Sequence, residues 1–213
     1  MQQFIQQYSE QIRSAASRKT PLRVRGSGSK DFYGVRLTGN ILDTRSYNGI
    51  VEYEPTELVL TARAGTRLRD LEAALAEKNQ MLAFEPPHFG QDATFGGCIG
   101  CGFSGPRRAY AGAARDFVLG VRMLNDAGEA LRFGGQVMKN VAGYDLSRLL
   151  TGSFGTLGLL LEISVKVLPR PEVERTLRFE MTESQAIDAM NRWAGQPLPL
   201  SASFYVDNEL HLR

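Results

Sequence analysis

Two glycine-rich stretches carry the residues best suited to chemistry. The first, Arg25-Gly26-Ser27-Gly28-Ser29-Lys30, follows a short apolar segment, Leu22-Arg23-Val24. The second runs from Phe89 to Gly112 and holds seven glycines. Glycine lets a backbone turn tightly and bring its N–H groups against a ligand with no Cβ in the way. Successive N–H groups in such loops form concave anion sites. Two of them in one chain suit a ligand with phosphates in the middle and a long body, such as a dinucleotide. Lys30, Arg107, Arg108 and Arg115 lie within or beside these loops, where a cation helps to neutralise a diphosphate. A third cluster, Gly152-Ser153-Phe154-Gly155-Thr156-Leu157-Gly158, has three glycines at three-residue spacing. A helix-ending turn accounts for one of them; close approach to a ligand or a neighbouring strand accounts for all three. Asp116 precedes an apolar run, either as a turn cap or as an acceptor for a bound ring or ribose.

Several other chemistries are set aside by spacing. No Gly-x-x-x-x-Gly-Lys-Ser/Thr occurs, so Lys30 is not a P-loop lysine. Gly100-Cys101-Gly102-Phe103-Ser104-Gly105 has the Gly-x-Gly-x-x-Gly spacing of a nicotinamide-binding turn. It follows no clear strand, however, and runs into Pro106-Arg107-Arg108 instead of a long apolar helix. Cys98-Ile99-Gly100-Cys101 is a lone Cys-x-x-Cys. With only His88 and His211 to add, it does not make a zinc site, and small residues in a crowded loop explain it better than a redox disulfide. His88, beside Pro87, is placed to line a cofactor pocket, whereas His211 reads as a strand residue.

The elements that must position these loops are legible from periodicity. Phe4, Ile5, Tyr8, Ile12, Ala15 and Ala16 have helical spacing over residues 2–18, ended by Thr20-Pro21. Strand-like runs follow at 22–25, 41–44, 50–53 and 58–64. Thr66 is a candidate cap for a helix with Leu68, Leu71 and Leu75 on one face. Residues 117–124 and 130–133 flank Asn125-Asp126-Ala127-Gly128, a hairpin signal. A short helix is expected over 144–150 and a long strand over 159–168. Pro169-Arg170-Pro171 then marks a boundary. Beyond it, 176–180 reads as a strand, Thr182-Glu183-Ser184-Gln185 as a capping box, and 203–206 with 209–212 as a hairpin about Asp207-Asn208. This β-α-β-β unit of 171–213 is too small to close a core alone, so it is expected to be the beginning of a truncated C-terminal α+β domain.

The chain of 213 residues is 43% hydrophobic and 23% charged, as expected of a globular fold. Its net charge of +2 gives no reason to expect nucleic acid or an anionic membrane as partner. No apolar run reaches the ~18 residues a membrane span needs. The start, Met1-Gln2-Gln3-Phe4-Ile5, lacks the basic and apolar regions of a signal peptide. With two cysteines, a reduced, cytoplasmic setting is expected.

In order along the chain, these segments resemble the FAD-binding domain of the vanillyl-alcohol-oxidase (PCMH-type) flavoprotein family. The resemblance is carried by 25–30, Ala64-Gly65-Thr66, Thr94-Phe95-Gly96-Gly97, Arg115-Asp116-Phe117-Val118-Leu119-Gly120, 125–129 and 152–158, and covers about residues 20–170. Three strings are more specific: Arg25 through Gly34, Ser104-Gly105-Pro106-Arg107-Arg108, and Met138-Lys139-Asn140-Val141-Ala142-Gly143-Tyr144-Asp145. They look like the FAD-binding subunits of the bacterial glycolate oxidase family. The resemblance implies an α+β fold with FAD between two α/β subdomains in residues 1–170, followed by the start of a substrate or cap domain. It implies that 25–30 and 94–97 hold the pyrophosphate, while Arg115, Asp116, Val118 and Ile163 reach the adenosine or flavin end. The remaining cofactor-binding positions it implies are Pro87, Cys98, Gly102, Gly112 and Gly158, so that the full set also contains Arg25, Gly26, Ser27, Gly28, Ser29, Lys30, Thr94, Gly96 and Gly97. Relatives that attach flavin covalently use a histidine in the first loop or a cysteine just before the second turn. This chain has neither there, so non-covalent FAD is expected. The implied reaction is oxidation of glycolate or a similar short 2-hydroxy acid. The implied partners are the D (flavin) and F (iron–sulfur) subunits, which could hold the chain peripherally at the inner membrane. The alternatives are a non-catalytic FAD module that organises a complex and another 2-hydroxy-acid dehydrogenase, such as a D-lactate dehydrogenase, on the same fold.

Overall fold

The computed structural model of the chain describes residues 2–34, 38–135 and 144–213. Helix α1 (Gln2–Ser17) leads to β1 (Leu22–Arg25) and β2 (Asn40–Asp43), a parallel pair with Arg25 opposite Asp43. Next come β3 (Ile50–Glu54), β4 (Val59–Arg63), α2 (Leu68–Ala76) and β5 (Gln80–Met81). The glycine-rich run forms three short helices: α3 (Phe95–Cys101), α4 (Arg108–Ala111) and α5 (Ala114–Phe117). Strands β6 (Val118–Leu124) and β7 (Ala130–Gly134), helix α6 (Leu146–Leu149), and strands β8 (Leu159–Lys166) and β9 (Leu168–Pro169) complete the larger unit.

Five strands form one antiparallel sheet in the order β3-β4-β8-β6-β7. Central β8 is buried on both faces, as its near-continuous Leu159-Leu160-Leu161 run anticipates. One face packs Leu160, Ile163 and Val165 against Leu68, Leu71 and Leu75 of α2 and Phe95 and Ile99 of α3. On the other face Leu159 and Leu161 meet Tyr8 of α1, Leu42 of β2 and Tyr47. The sheet thus carries a separate hydrophobic cluster on each face. Tyr47 donates to Glu162 Oε1 at 2.8 Å, and burial together with that carboxylate pushes its phenol up to about 12.

After Pro171 a second, small unit follows: β10 (Leu177–Glu180), α7 (Glu183–Ala194), β11 (Ser203–Val206) and β12 (Glu209–Leu212), with sheet order β10-β12-β11. Thr182 and Gln185 form the expected capping box, and Asp207 and Asn208 take the positive φ of a tight hairpin. An ionic cluster joins this unit to the larger one. Glu85 meets Arg107 Nε at 3.1 Å and Arg213 Nη2 at 2.6 Å, and Arg107 also pairs with Glu174.

Three local expectations change. Thr66 does not cap α2: Arg67 is the N-cap, and the Thr66 hydroxyl instead donates to Arg63 O at 2.7 Å and accepts from Gly49 N at 2.9 Å. The second glycine-rich stretch is partly helical: Thr94 caps α3 by accepting from Gly97 N, and Gly96 and Gly105 serve close packing against Ala64 and Glu85 instead of turning. The long strand expected over 159–168 breaks at Val167 into β8 and β9.

Candidate cofactor site

A cleft of about 500 Å³ lies between the loop after β1, the N-terminal half of α3 and the loop before β8. This volume is typical of small-molecule sites. The loop 25–30 lines it throughout, and Thr94, Gly96, Gly97 and Gly158 contribute further wall.

In the first loop the glycines answer to the close approach of neighbouring groups. A Cβ on Gly26 would lie 2.3 Å from Thr94 Oγ1, and one on Gly28, at φ +79°, would lie 2.0 Å from Arg25 Nη2. Asp31 N donates to Gly28 O at 3.0 Å, closing the turn, and Ser29 N reaches Ser27 Oγ at 3.4 Å. The N–H groups of Gly26, Ser27, Gly28 and Lys30 have no acceptor among the described residues. Unpaired backbone donors along one wall are what an anion requires. Arg23 and Arg25, two apart on β1, share a face and line the cleft with Lys30 and Asp31. Among the described residues, three cations against one carboxylate leave two positive charges, matching a dinucleotide's diphosphate. Arg23 Nη2 lies 2.6 Å from Asp31 Oδ1, but the pair is not aligned as a hydrogen bond, so this buried nitrogen keeps a donor without an acceptor.

The second turn is built differently. Phe95 N donates to Thr66 O at 2.7 Å, Gly96 N to Ala64 O at 2.7 Å, Gly97 N to Thr94 Oγ1 at 3.2 Å and Cys98 N to Thr94 O at 2.9 Å. Its donors are therefore occupied by the protein. Gly96 is required because a Cβ would lie 2.6 Å from Ala64 Cβ. This turn shapes the wall by letting two backbones meet.

The rest of the lining is largely apolar. Leu22 and Val24 of β1, Ala64, Leu159 and Leu160 face the space, with Gly155 against Val24 at 3.4 Å from where its Cβ would be. At one end Tyr33 stacks on Phe154 with ring centres 5.5 Å apart and leans on Phe103 at 4.6 Å. Cys101 lines the cleft, while Cys98 beside it is wholly enclosed. Burial pushes the Cys98 thiol up to about 12 and also raises that of Cys101, against the opposing pull of Lys30. A cradle of free backbone donors, an unsatisfied arginine nitrogen and an apolar slot fit a flavin dinucleotide's diphosphate and rings.

Of the residues expected at the cofactor, eight lie outside this lining. Cys98, Val118 and Ile163 belong to the sheet-and-helix core. Gly102 is the left-handed cap of α3, packed 3.1 Å from Gly152 Cα when given a Cβ. Its position at a helix end also explains why the Gly-x-Gly-x-x-Gly spacing is accidental. Asp116 is a turn cap, accepting from Ala113 N at 2.8 Å, with Gly112 against its carboxylate. Arg115 is exposed, and Pro87 also lies off the cleft. His88 pairs with Glu72 at 2.9 Å instead of facing the cleft. Residues 138–143 of the third specific string lie outside the described residues. Arg23, Asp31, Tyr33, Thr44, Ala64, Gly100, Cys101 and Phe154 line the cleft but were not among the expected cofactor-binding positions, although Asp31, Tyr33, Ala64 and Phe154 lie in segments the sequence singled out. Arg23 carried a further signal, since it stands two residues before Arg25 on the same strand.

Residues 4–134 match the FAD binding domain family. Over 210 residues the chain is 55% identical to the glycolate oxidase subunit GlcE of Escherichia coli K12, covering 99% of this chain and 60% of that one. It is 33% identical over 190 residues to the glycolate oxidase subunit GlcD of Bacillus subtilis, covering 87% of this chain and 40% of that one. It is 29% identical over 197 residues to a D-lactate dehydrogenase of Archaeoglobus fulgidus, covering 91% and 44%. The chain thus spans only part of the length of the curated relatives it matches. Among solved structures, an alkyldihydroxyacetonephosphate synthase superposes with a TM-score of 0.67 at 21% identity, covering 86% of this chain and 34% of that one; at that identity the likeness shows the fold. Family match, shared fold and a cleft with free backbone donors agree: FAD is the cofactor this fold holds, and the chain belongs to the FAD binding domain family.

Proposed function

We propose that this chain is the FAD-binding subunit of a glycolate oxidase, acting on glycolate or a similar short 2-hydroxy acid. The observation that carries this reading is the 55% identity to GlcE, spread over 99% of the chain. The diphosphate would lie against the free N–H groups of Gly26, Ser27, Gly28 and Lys30, with Arg23 and Lys30 supplying charge. The rings would lie in the slot walled by Val24, Ala64, Leu159 and Leu160. When bound, the flavin supplies a two-electron acceptor for the substrate's α-carbon hydride. The chain's own residues bind and orient the cofactor and keep water from it.

Attachment would be non-covalent, since the first loop has no histidine and the enclosed, strongly raised Cys98 is a poor nucleophile. Electrons would pass to further subunits of the D (flavin) and F (iron–sulfur) kind, which would hold the chain at the inner membrane from outside the bilayer. Among the described residues no helix is long and apolar enough to cross a membrane. Residues 171–213 would begin the domain that completes the substrate pocket.

A second reading, an FAD module that relays electrons without substrate chemistry, is favoured by one observation. Both histidines are engaged away from the cleft, His88 with Glu72 and His211 stacked on Phe204 at 4.4 Å. The deciding measurement is the visible spectrum of the purified chain, before and after glycolate and after acid precipitation. Yellow protein whose flavin leaves the pellet is expected. Bleaching by glycolate in the chain alone would exclude the relay reading, and failure to take up FAD would sink the cofactor assignment.

A further inference from the structure

The loop that lines the cleft is bracketed by opposite charges. Arg25 is the last residue of β1, and Asp31 is the first after Lys30. Across the loop, Arg25 Nε and Nη2 each approach Asp31 Oδ2 to 2.9 Å, while Arg23 Nη2 lies 2.6 Å from Oδ1. The Arg25 backbone is fixed, since β1 pairs with β2 and Arg25 O accepts from Thr44 N at 3.0 Å, while its guanidinium is held through Asp31. Its guanidinium lies directly beneath Gly28, where any Cβ would collide with it. A strand-anchored arginine therefore supports the loop's apex and holds its far end through one carboxylate.

We infer that Asp31 is a positioning residue, a clasp that holds the loop folded so that the free N–H groups of Gly26, Ser27, Gly28 and Lys30 form the diphosphate cradle before the cofactor arrives. The inference rests on the FAD reading above and deepens it. Preformed donors bind an anion more tightly than donors that must first be ordered, because the ordering entropy is already lost. Burial by itself would raise the Asp31 carboxyl, but the hydrogen bond from Arg25 and the positive charges of Arg25 and Arg23 outweigh it and hold the group below its ordinary value. The carboxylate is thus ionised throughout the neutral range. Its side chain is 36% exposed, so the pairs it makes are screened, and losing them should disorder the loop without unfolding the domain.

The competing picture is that Asp31 merely occupies arginines that should meet phosphate. The two pictures predict opposite signs. FAD uptake by the apo-chain, followed by flavin fluorescence, would be compared for wild type, Asp31→Asn and Asp31→Glu, with ADP as a competing probe of the diphosphate site. The clasp predicts that Asp31→Asn binds FAD and ADP roughly tenfold more weakly, that Asp31→Glu recovers part of the loss, and that apo-chain melting moves by no more than about 2 °C. Unchanged or tighter FAD binding by Asp31→Asn, in a wild type that binds FAD, would overturn the clasp alone. So would weakening that Glu does not rescue, accompanied by a large drop in melting temperature. A wild type that takes up no FAD would overturn the cofactor reading and the clasp with it.

Discussion

The two glycine-rich stretches are alike in composition and opposite in use. Around 25–30 the N–H groups of Gly26, Ser27, Gly28 and Lys30 have no acceptor among the described residues, and the glycines make room for a guanidinium and a threonine hydroxyl. Around 94–97 every N–H from Phe95 to Cys98 is paired within the protein, and Gly96 makes room for the backbone and Cβ of Ala64. They touch where a Cβ on Gly26 would strike Thr94 Oγ1. One stretch therefore faces a ligand, and the other fixes the distance at which the first is held. Glycine content alone does not separate these roles; the destination of each N–H does.

The largest effect should follow from disturbing the second stretch. Gly96→Ala forces a methyl to 2.6 Å from Ala64 Cβ and 2.9 Å from Ala64 O, in a segment whose residues Phe95 and Ile99 are wholly buried. Overpacking of this kind costs about 3 kcal/mol. Denaturant unfolding of the apo-chain should show that loss as a lowered midpoint at unchanged slope. A change under ~0.5 kcal/mol, the range of a neutral surface substitution, would mean that this glycine is no packing requirement and would dissolve the comparison.

Gly28→Ala is the matched test in the first stretch. Its φ of +79° disfavours alanine by about 1 kcal/mol, but the group in the way is the end of a flexible arginine, which can move. Stability should fall by little more than that amount. FAD affinity, by contrast, should drop by at least roughly tenfold, because the displaced guanidinium no longer supports the apex. Equal losses of stability and affinity in both glycine variants would contradict the division of roles.

Much of this architecture was legible in the sequence, and the reasons are local. The strands at 203–206 and 209–212 emerge with the expected bounds because alternation and an Asp-Asn turn act within a few residues. The capping box at Thr182 is equally local. Thr66 misled because a threonine before a leucine-rich helix suggests a cap, whereas its hydroxyl is drawn to Gly49, seventeen residues away. Val118 and Ile163 were expected at the cofactor because they stand in strings that mark the family, yet a string says nothing about which face of a strand each residue occupies. Asp31 was missed because its partners Arg23 and Arg25 come into reach only once the loop folds back, a property of the turn and not of spacing.

Lys30→Met offers a smaller and more graded test. The Lys30 ammonium lies over the Phe89 ring at 5.9 Å and is close enough to Cys101 and Cys98 to pull their thiols downward. Loss of this charge should weaken FAD binding a few-fold at low salt, with the difference shrinking as ionic strength rises. A salt-independent loss would indicate that Lys30 acts through packing instead.

The smallest expected effect is read from the two thiols, which lie on either side of the boundary between cleft wall and core. Alkylation requires the thiolate, and both groups have it suppressed by burial, Cys98 to about 12 and Cys101 in the same direction. Labelling of the native chain should therefore be slow at neutral pH and speed up as pH rises, and it should fall on Cys101, which lines the cleft. Saturating FAD should slow it, since the cofactor would cover that wall. The raised value of Cys98 also has a consequence for folding. The native state retains this proton where the unfolded chain, near 9.0, has lost it, so the thiol's contribution to stability is complete below that pH and declines as pH rises toward about 12. Mass analysis of labelled peptides with and without FAD decides the matter. Protection of Cys101 alone supports a cleft that ends at its side chain. Cys98 labelling as fast as Cys101, insensitive to FAD, would show that α3 opens and that the second stretch is not the fixed wall on which the first depends.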